Sequence, residues 1–476
     1  MSEELTPDMC VIGAGAGGVS VAAAAAAFGA SVVLIEHGKM GGERLNYACV
    51  PSKSLLAAAH RFANLKTLAP FGISVGKPSI DFAKAREHMT AVIADIAPND
   101  SAERLTGLGV QVIKGSARFT DHDTVAVGSD FTIKAKSYVI ATGSSPTNPL
   151  ITGLETVGYY TNENIFEKLT ECPRHLVIVG GGPVGIEMAQ AFRRFGAEVT
   201  VIEMRRPLAT EDQECADIVL SQLASEGVSI HSGALAASLE RKGDAEIEVT
   251  FNTDGGGRQV IMASHVMIAV GRWPNVDGLD LAAASVSHNA NGITVDARLR
   301  TSNKKIYAVG DVTGEMRFTH VANYHAGIVA RNALFRARSK VDYSAVPHVI
   351  YTEPELAQVG LTEAEAVKQR HKFNILRSSY FENDRAQIER TARGHIKIIA
   401  DQRDNILGVT IVGANAGELI TTWTLAIAQG INLRHMAQLV VPYPTLAEIG
   451  KRAAVAHFAG RLTASWWGSI IGLFRR

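Results

Sequence analysis

Cys49 is the residue best placed for chemistry of its own. It stands in the run Gly41-Gly42-Glu43-Arg44-Leu45-Asn46-Tyr47-Ala48-Cys49-Val50-Pro51-Ser52-Lys53. Pro51 and the apolar residues after it predict a helix beginning near Val50. A thiol at a helix N-terminus, with Arg44 and Lys53 close by, is in surroundings that make sulfur a nucleophile or a redox partner. Most cysteines beside a cation are nonetheless inert core residues, so context must decide. The other three, Cys10, Cys172 and Cys215, are scattered, with neither a disulfide framework nor a metal spacing, and no metal site is expected. No secretory leader precedes them, and a reducing cytoplasm is the expected compartment.

The elements that must position this segment start at Met9. Residues Met9 to Ile35 carry no charge, a run long enough for a membrane span. Five glycines break it into a strand (Met9 to Ile12), a turn, an alanine-rich helix and a second strand ending at Glu36, which is soluble βαβ. The turn is Gly13-Ala14-Gly15-Ala16-Gly17-Gly18, and Glu36 follows Gly18 by 18 residues. That is a dinucleotide fingerprint: Gly13 for the tight turn, Gly15 for approach of a pyrophosphate, Gly18 for close helix packing, Glu36 for a ribose. The pattern repeats as Gly180, Gly182, Gly185 and Glu203, at a constant offset of 167 residues. Two such sites in one chain suggest a flavin nucleotide and a nicotinamide nucleotide.

Around Cys49 the sequence resembles the redox segment of the FAD-dependent pyridine nucleotide–disulfide oxidoreductases, the family of dihydrolipoyl dehydrogenase, glutathione reductase and mercuric reductase. That segment reads Gly-Gly-Thr-Cys-Leu-Asn-x-Gly-Cys-Val-Pro-Ser-Lys. The resemblance extends over roughly Pro7 to Phe458, through the strand ends Ala141-Thr142-Gly143 and Gly271-Arg272-Trp273-Pro274-Asn275, the flavin turn Gly310-Asp311, and Thr352-Glu353-Pro354-Glu355. It implies an α/β chain of two Rossmann-like dinucleotide-binding domains, the second inserted in the first, and a C-terminal α+β dimerisation domain. The expected boundaries are 1–150 and 286–345 for FAD binding, 151–285 for NAD(P) binding, 346–460 for dimerisation and 461–476 for a basic tail. FAD is expected on the first fingerprint with Thr142, Gly143 and Asp311, whose counterpart bonds a ribityl hydroxyl. NAD is expected on the second with Gly271 and Arg272. Glu203 favours NADH, while Arg205 and Arg206 leave NADPH open. Lys53 and Glu187 match the pair beside the flavin. A homodimer is implied, with Tyr443 and Glu448 carried across to the partner's flavin.

Two departures bear on activity. Arg44 stands where the family has its first cysteine, so a disulfide with Cys49 cannot form. Tyr443 stands where many members have a catalytic histidine, and a phenol is a poor base at neutral pH. The expected activity is transfer of hydride from NAD(P)H to FAD, then of electrons directly to a small acceptor such as a quinone. Two alternatives stay open: thiol–disulfide chemistry at Cys49 alone, and a flavin-binding scaffold without catalysis. Lys+Arg and Asp+Glu both number 47 and no basic block mixes with aromatics, which argues against a nucleic-acid partner. The tail, with Trp466, Trp467, Ile470, Ile471, Leu473, Phe474 and terminal arginines, is open between weak peripheral membrane contact and packing on the dimer.

Overall fold

The computed structural model describes residues 2–243 and 246–464. The tail from 465 onward lies outside the described residues. The chain packs as two compact units: 1–180, 194–198 and 235–341 form the first, and 181–193, 199–234 and 342–476 the second. Segment 151–285 contributes to both.

In the first unit five strands form a parallel sheet in the order Ile306–Ala308, Ser137–Ile140, Met9–Ile12, Val32–Glu36 and Val110–Lys114. The central strands are buried on both faces, so Met9–Ile12 and, save its terminal acid, Val32–Glu36 read as continuous apolar runs rather than alternating ones. Cys10, Ile12, Val33 and Ile35 enter one core cluster, and Met9, Val11, Val32 and Leu34 the other. That two-sided burial, not a bilayer, accounts for the uncharged run. Among the described residues no helix is long and apolar enough to cross a membrane. Ile306–Ala308 pairs with Ser137–Ile140, so the chain returns to its first sheet after the intervening segment, as an inserted domain requires.

Helix Ala16–Ala27 is small-residue-rich because neighbouring chain comes close to it. A Cβ on Gly18 would lie 1.8 Å from Gly13 O, and one on Gly17 would lie 3.1 Å from Val309 Cγ2. Helix Thr319–Phe335 lies alongside, with Ser20 Oγ bonded to Asn323 Oδ1 at 3.0 Å and the rings of Phe28 and Phe335 5.0 Å apart.

The second unit is built on an antiparallel sheet in the order His348–Ile350, Glu355–Gly360, Ile406–Gly413, His395–Asp401 and Phe373–Ser379. Helices Ala416–Ala428 and Glu448–Ala464 bring Ile420, Trp423 and Ile449 into its core. This is the α+β character expected of the C-terminal domain. Its one deeply buried cation is Lys397 among the described residues, with a side chain 3% exposed. Lys397 Nζ lies 2.8 Å from Asp212, 3.1 Å from Glu214 and 2.7 Å from Glu363. Asp212 also caps helix Gln213–Ser225. Removing the cation leaves the fully enclosed Asp212 and its neighbour Glu363 facing each other, while Glu214 keeps its pairing with Arg377. Lys397→Met is therefore expected to lose about 3–5 kcal/mol of stability, read from urea unfolding. An unchanged midpoint would show the network to be neutral.

Candidate active site

The first fingerprint folds as a nucleotide cradle. Gly13 has φ +103°, and a Cβ there would sit 2.5 Å from Ala141 O. A Cβ on Gly15 would meet no atom within 4 Å, so space is left at the N-terminus of helix Ala16–Ala27, where a pyrophosphate is favoured. Glu36, 8% exposed, accepts from Ala14 N–H at 2.6 Å and Gly38 N–H at 2.5 Å. Beside it a cavity of ≈ 220 Å³ is lined by Glu36, Met40, Ala102, Thr106 and Lys114 among others. Open glycine, helix terminus, oriented carboxylate and adjoining cavity together fit the adenosine and pyrophosphate of an FAD.

The second fingerprint reproduces this geometry. In the first unit Gly180 has φ +113°, and its Cβ would sit 2.3 Å from Ala269 O. In the second unit Glu203 accepts from Gly181 N–H at 2.6 Å and Arg205 N–H at 2.8 Å. Ala14 and Gly38 become Gly181 and Arg205 at the same 167-residue offset. A Cβ on Gly182 would again meet nothing, and Gly185 lies on the helix Pro183–Phe195 that follows. Arg206 is held by Asp217. Glu187, on that helix and 3% exposed, accepts from Tyr351 N–H at 2.9 Å.

The Cys49 segment lies against the first cradle. Gly41 and Gly42 have φ +79° and +56°, and a Cβ on Gly42 would be 2.6 Å from Gly15 Cα. Helix Cys49–Asn64 begins on Cys49 itself, with Lys53 one turn on. Cys49 Sγ lies 3.4 Å from Thr319 Oγ1, the first residue of helix Thr319–Phe335. Arg44, in the place of the family's first cysteine, forms an ion pair with Asp100, which is 7% exposed. All four cysteines are free.

Next to this segment is a polar cluster centred on Arg272. Its guanidinium reaches Glu43 Oε2 at 2.7 Å, Ser144 Oγ at 2.8 Å, Asn162 Oδ1 at 3.2 Å and Asp311 Oδ2 at 3.9 Å. Ser144 Oγ donates to Asp311 Oδ2 at 2.7 Å. Strand Arg272–Pro274 pairs with Ser144–Pro146, and Thr142 and Asn275 exchange two hydrogen bonds. Thr142, Gly143, Gly271, Arg272 and Asp311 thus come together, joined by Glu43. Burial pushes the Glu43 carboxyl up to about 7, with Arg272 opposing and Asp311 and Glu163 adding to the rise. His325, fully buried, is pushed down to about 4 by burial, and its Nδ1 accepts from Gly310 N–H at 3.1 Å. It fixes the turn that presents Asp311.

In the second unit Tyr443 is 71% exposed and its hydroxyl donates to Asp384 Oδ2 at 2.9 Å. That bond raises the phenol above its usual range. Glu448 instead accepts from Thr445 N–H at 3.4 Å. Asp100, Thr319, Asn162 and Asp384 are therefore site neighbours that sequence reasoning missed. Only Thr319 left a signal, its position just after the flavin turn. Among the described residues no group of three or more His, Cys, Asp or Glu could hold a metal ion.

Two nucleotide cradles, a redox segment packed on the first of them and an α+β unit in the same chain define a two-nucleotide oxidoreductase. The chain belongs to the pyridine nucleotide–disulphide oxidoreductase family, which it matches over residues 7–326, with that family's dimerisation domain at residues 346–454. It is 36% identical to a mercuric reductase of Streptomyces lividans over 94% of this chain and 95% of that protein. It is 34% identical to a dihydrolipoyl dehydrogenase of Geobacillus stearothermophilus over 93% of this chain and 94% of that protein. The HOCl-induced flavoprotein disulfide reductase RclA from Escherichia coli superposes with a TM-score of 0.83 at 26% identity, covering 94% of this chain and 99% of that one. The family binds FAD and NAD(P).

Two expectations follow from the geometry. Arg44→Cys alone strands the Asp100 carboxylate and is expected to cost about 3 kcal/mol, whereas Arg44→Cys with Asp100→Asn recovers most of it. Thermal melts of the two variants check this, and equal melting would show the ion pair to be idle. For His325 the folded-state pKa lies below the usual 6.5, so the unfolded chain binds the proton first. Stability is then full above pH 6.5 and falls by about 3 kcal/mol as pH drops toward 4. His325→Asn should flatten that part of the pH–stability curve, and an unchanged slope would refute the assignment.

Proposed function

We propose that this chain is an FAD-dependent NADH dehydrogenase that delivers electrons from the flavin directly to a small acceptor such as a quinone. The observation that carries the reading is Arg44. It occupies the outer thiol position and is committed to a buried carboxylate, so no second sulfur stands by Cys49 in this segment. When bound, FAD supplies the two-electron relay between nicotinamide and acceptor. The protein's part is to hold and orient. Gly13, Gly15, Gly18 and Glu36 seat the adenosine diphosphate end, and Asp311, fixed by Ser144, takes a ribityl hydroxyl. Lys53 places a cation by the reacting ring. Gly180, Gly182, Gly185 and Glu203 seat the nicotinamide nucleotide. The Glu203 carboxylate disfavours a 2′-phosphate, and the engagement of Arg206 by Asp217 leaves one cation fewer to welcome it. NADPH is accordingly the weaker donor. The dimerisation domain supports a homodimer, in which Tyr443 and Glu448 serve the partner's flavin.

A second reading is favoured by one contact, that of Cys49 Sγ with Thr319 Oγ1. A thiol so held can be oxidised by a peroxide to a sulfenic acid, or exchange with a small disulfide to a mixed disulfide, and be returned to the thiol by two electrons that originate in NADH.

Anaerobic titration with NADH separates these readings. Two electrons per chain should bleach the flavin fully, arsenite should leave NADH–quinone turnover unchanged, and lipoamide should be a negligible substrate. Uptake of four electrons, or lipoamide turnover comparable with quinone, would overturn the proposal. A flavin that NADH fails to bleach would leave only the scaffold reading.

A further inference from the structure

Glu43 is a charged residue at the heart of the site for which the reading above has no use. The family segment carries threonine there. In this chain the side chain is a half-buried carboxylate, 29% exposed, and among the described residues the cation paired with it, Arg272, is shared with a second carboxylate. Arg272 Nη2 lies 2.7 Å from Glu43 Oε2, and its Nε lies 3.9 Å from Asp311 Oδ2. Asn162 Nδ2 donates to Glu43 Oε1 at 3.1 Å, while Asn162 Oδ1 accepts from the same guanidinium at 3.2 Å.

Among the described residues the neighbouring charges are negative or turned elsewhere, Arg317 Nη1 donating to the Arg272 carbonyl at 2.6 Å. Glu163 adds a further negative charge. Arg44, next in sequence, is turned to Asp100. Helix Ala16–Ala27, packed on the same short helix Gly42–Asn46, has no charged residue. On helix Phe82–Ile96, which also packs there, Arg86 is turned to the Glu167 carbonyl. Helix Cys49–Asn64 offers Cys49 and Lys53, and Tyr47 lies between the two. One guanidinium therefore serves two acids, of which Asp311 is already fixed as the acceptor of the Ser144 hydroxyl. Any negative charge added nearby favours a proton on the other acid.

We propose that Glu43 is a redox-linked proton site, binding one proton when the flavin beside Asp311 takes up two electrons and releasing it when they leave. The proposal rests on the dehydrogenase reading and completes its balance. The hydride of NADH brings two electrons and one proton, and a quinone needs two of each to become hydroquinone. Glu43 takes the missing proton from solvent in the first half-reaction and surrenders it in the second. The sum is NADH + H⁺ + quinone → NAD⁺ + hydroquinone. A carboxyl held near neutrality is suited to this exchange, since it is neither firmly ionised nor firmly protonated at working pH.

The test is a potentiometric titration of the flavin in the holoenzyme with dithionite and reporter dyes, at several pH values and without acceptor. One proton per two electrons gives a slope of about 30 mV per pH unit, because a tenfold change in a two-electron equilibrium is ~30 mV. Wild type is expected to approach about 60 mV per pH unit around neutrality, two protons per two electrons. Glu43→Gln should return to about half that slope. Equal slopes in the two proteins overturn the proposal. Oxidised-minus-reduced infrared spectra of wild type give a readout that needs no variant: a protonated-carboxyl band must appear on reduction and shift in D₂O. Its absence overturns the proposal even if Glu43→Gln does not fold. Because dithionite replaces NADH, a steep slope in a protein that NADH cannot reduce would sink the dehydrogenase reading and leave the proton site standing. A protein that binds no flavin sinks both.

Discussion

One guanidinium holds together turns that the chain visits far apart. Arg272 bonds the helix carrying Glu43, the strand end at Ser144, the segment of Asn162 and, through Ser144, the turn of Asp311. Of its partners Ser144 and Asn162 are buried, and for such groups an unmet hydrogen bond costs about 1–3 kcal/mol. The arginine's planar fork meets several of them at once, which a lysine's point charge would not. Together with the pairing of Ile306–Ala308 on Ser137–Ile140, that fork ties the flavin turn, the first strand-to-glycine ending and the redox segment in their relative positions. His325 supports the same assembly from within, holding Gly310 as a neutral acceptor. The site is thus stiff where the flavin must be oriented, and its stiffness is electrostatic as well as apolar.

The two cradles show how much of such a site a short pattern can specify. Gly13 and Gly180 take positive φ and leave no room for a Cβ against a neighbouring carbonyl, while Gly15 and Gly182 leave open space. Glu36 and Glu203 each accept from two backbone N–H groups at equivalent positions. These are local constraints on backbone and on near neighbours, so residue types at fixed spacing encode them directly. For the same reason the strand Met9–Ile12 stands where the apolar run before the glycine turn foretells it. The return of Ile306–Ala308 to the first sheet follows the family order of motifs.

What the sequence left dark lies in long-range pairings. Asp100 meets Arg44 across 56 residues, Thr319 meets Cys49 across 270, and Asp384 meets Tyr443 across 59. None of these partners has a periodicity or a turn signature, because any acid or hydroxyl at that point in space would do. The proton affinity of Glu43 was equally invisible, since it depends on enclosure and on which charges share one cation. The division into units was not legible either. Helix Pro183–Phe195 follows a sequence repeat, but its first eleven residues fall in the same unit as the antiparallel sheet.

Arg44 shows why the loss of the outer thiol is more than the absence of a sulfur atom. The acid that receives its guanidinium is buried, and a Cβ on Gly41 would lie 3.0 Å from Asp100 Oδ2. Gly41, Asp100 and Arg44 therefore form one packed arrangement beside the first nucleotide cradle. A cysteine placed back at 44 would remove the cation while the acid remained, and a buried unpaired carboxylate costs several kcal/mol. Regaining a dithiol thus requires at least two coordinated changes, the first of them unfavourable alone. The nucleotide-binding half faces no such barrier, because both fingerprints and the Asp311 turn are intact. On the function proposed above, such a chain would keep the residues that receive a hydride, while the Arg44–Asp100 ion pair occupies the place from which a dithiol would pass electrons to a disulfide.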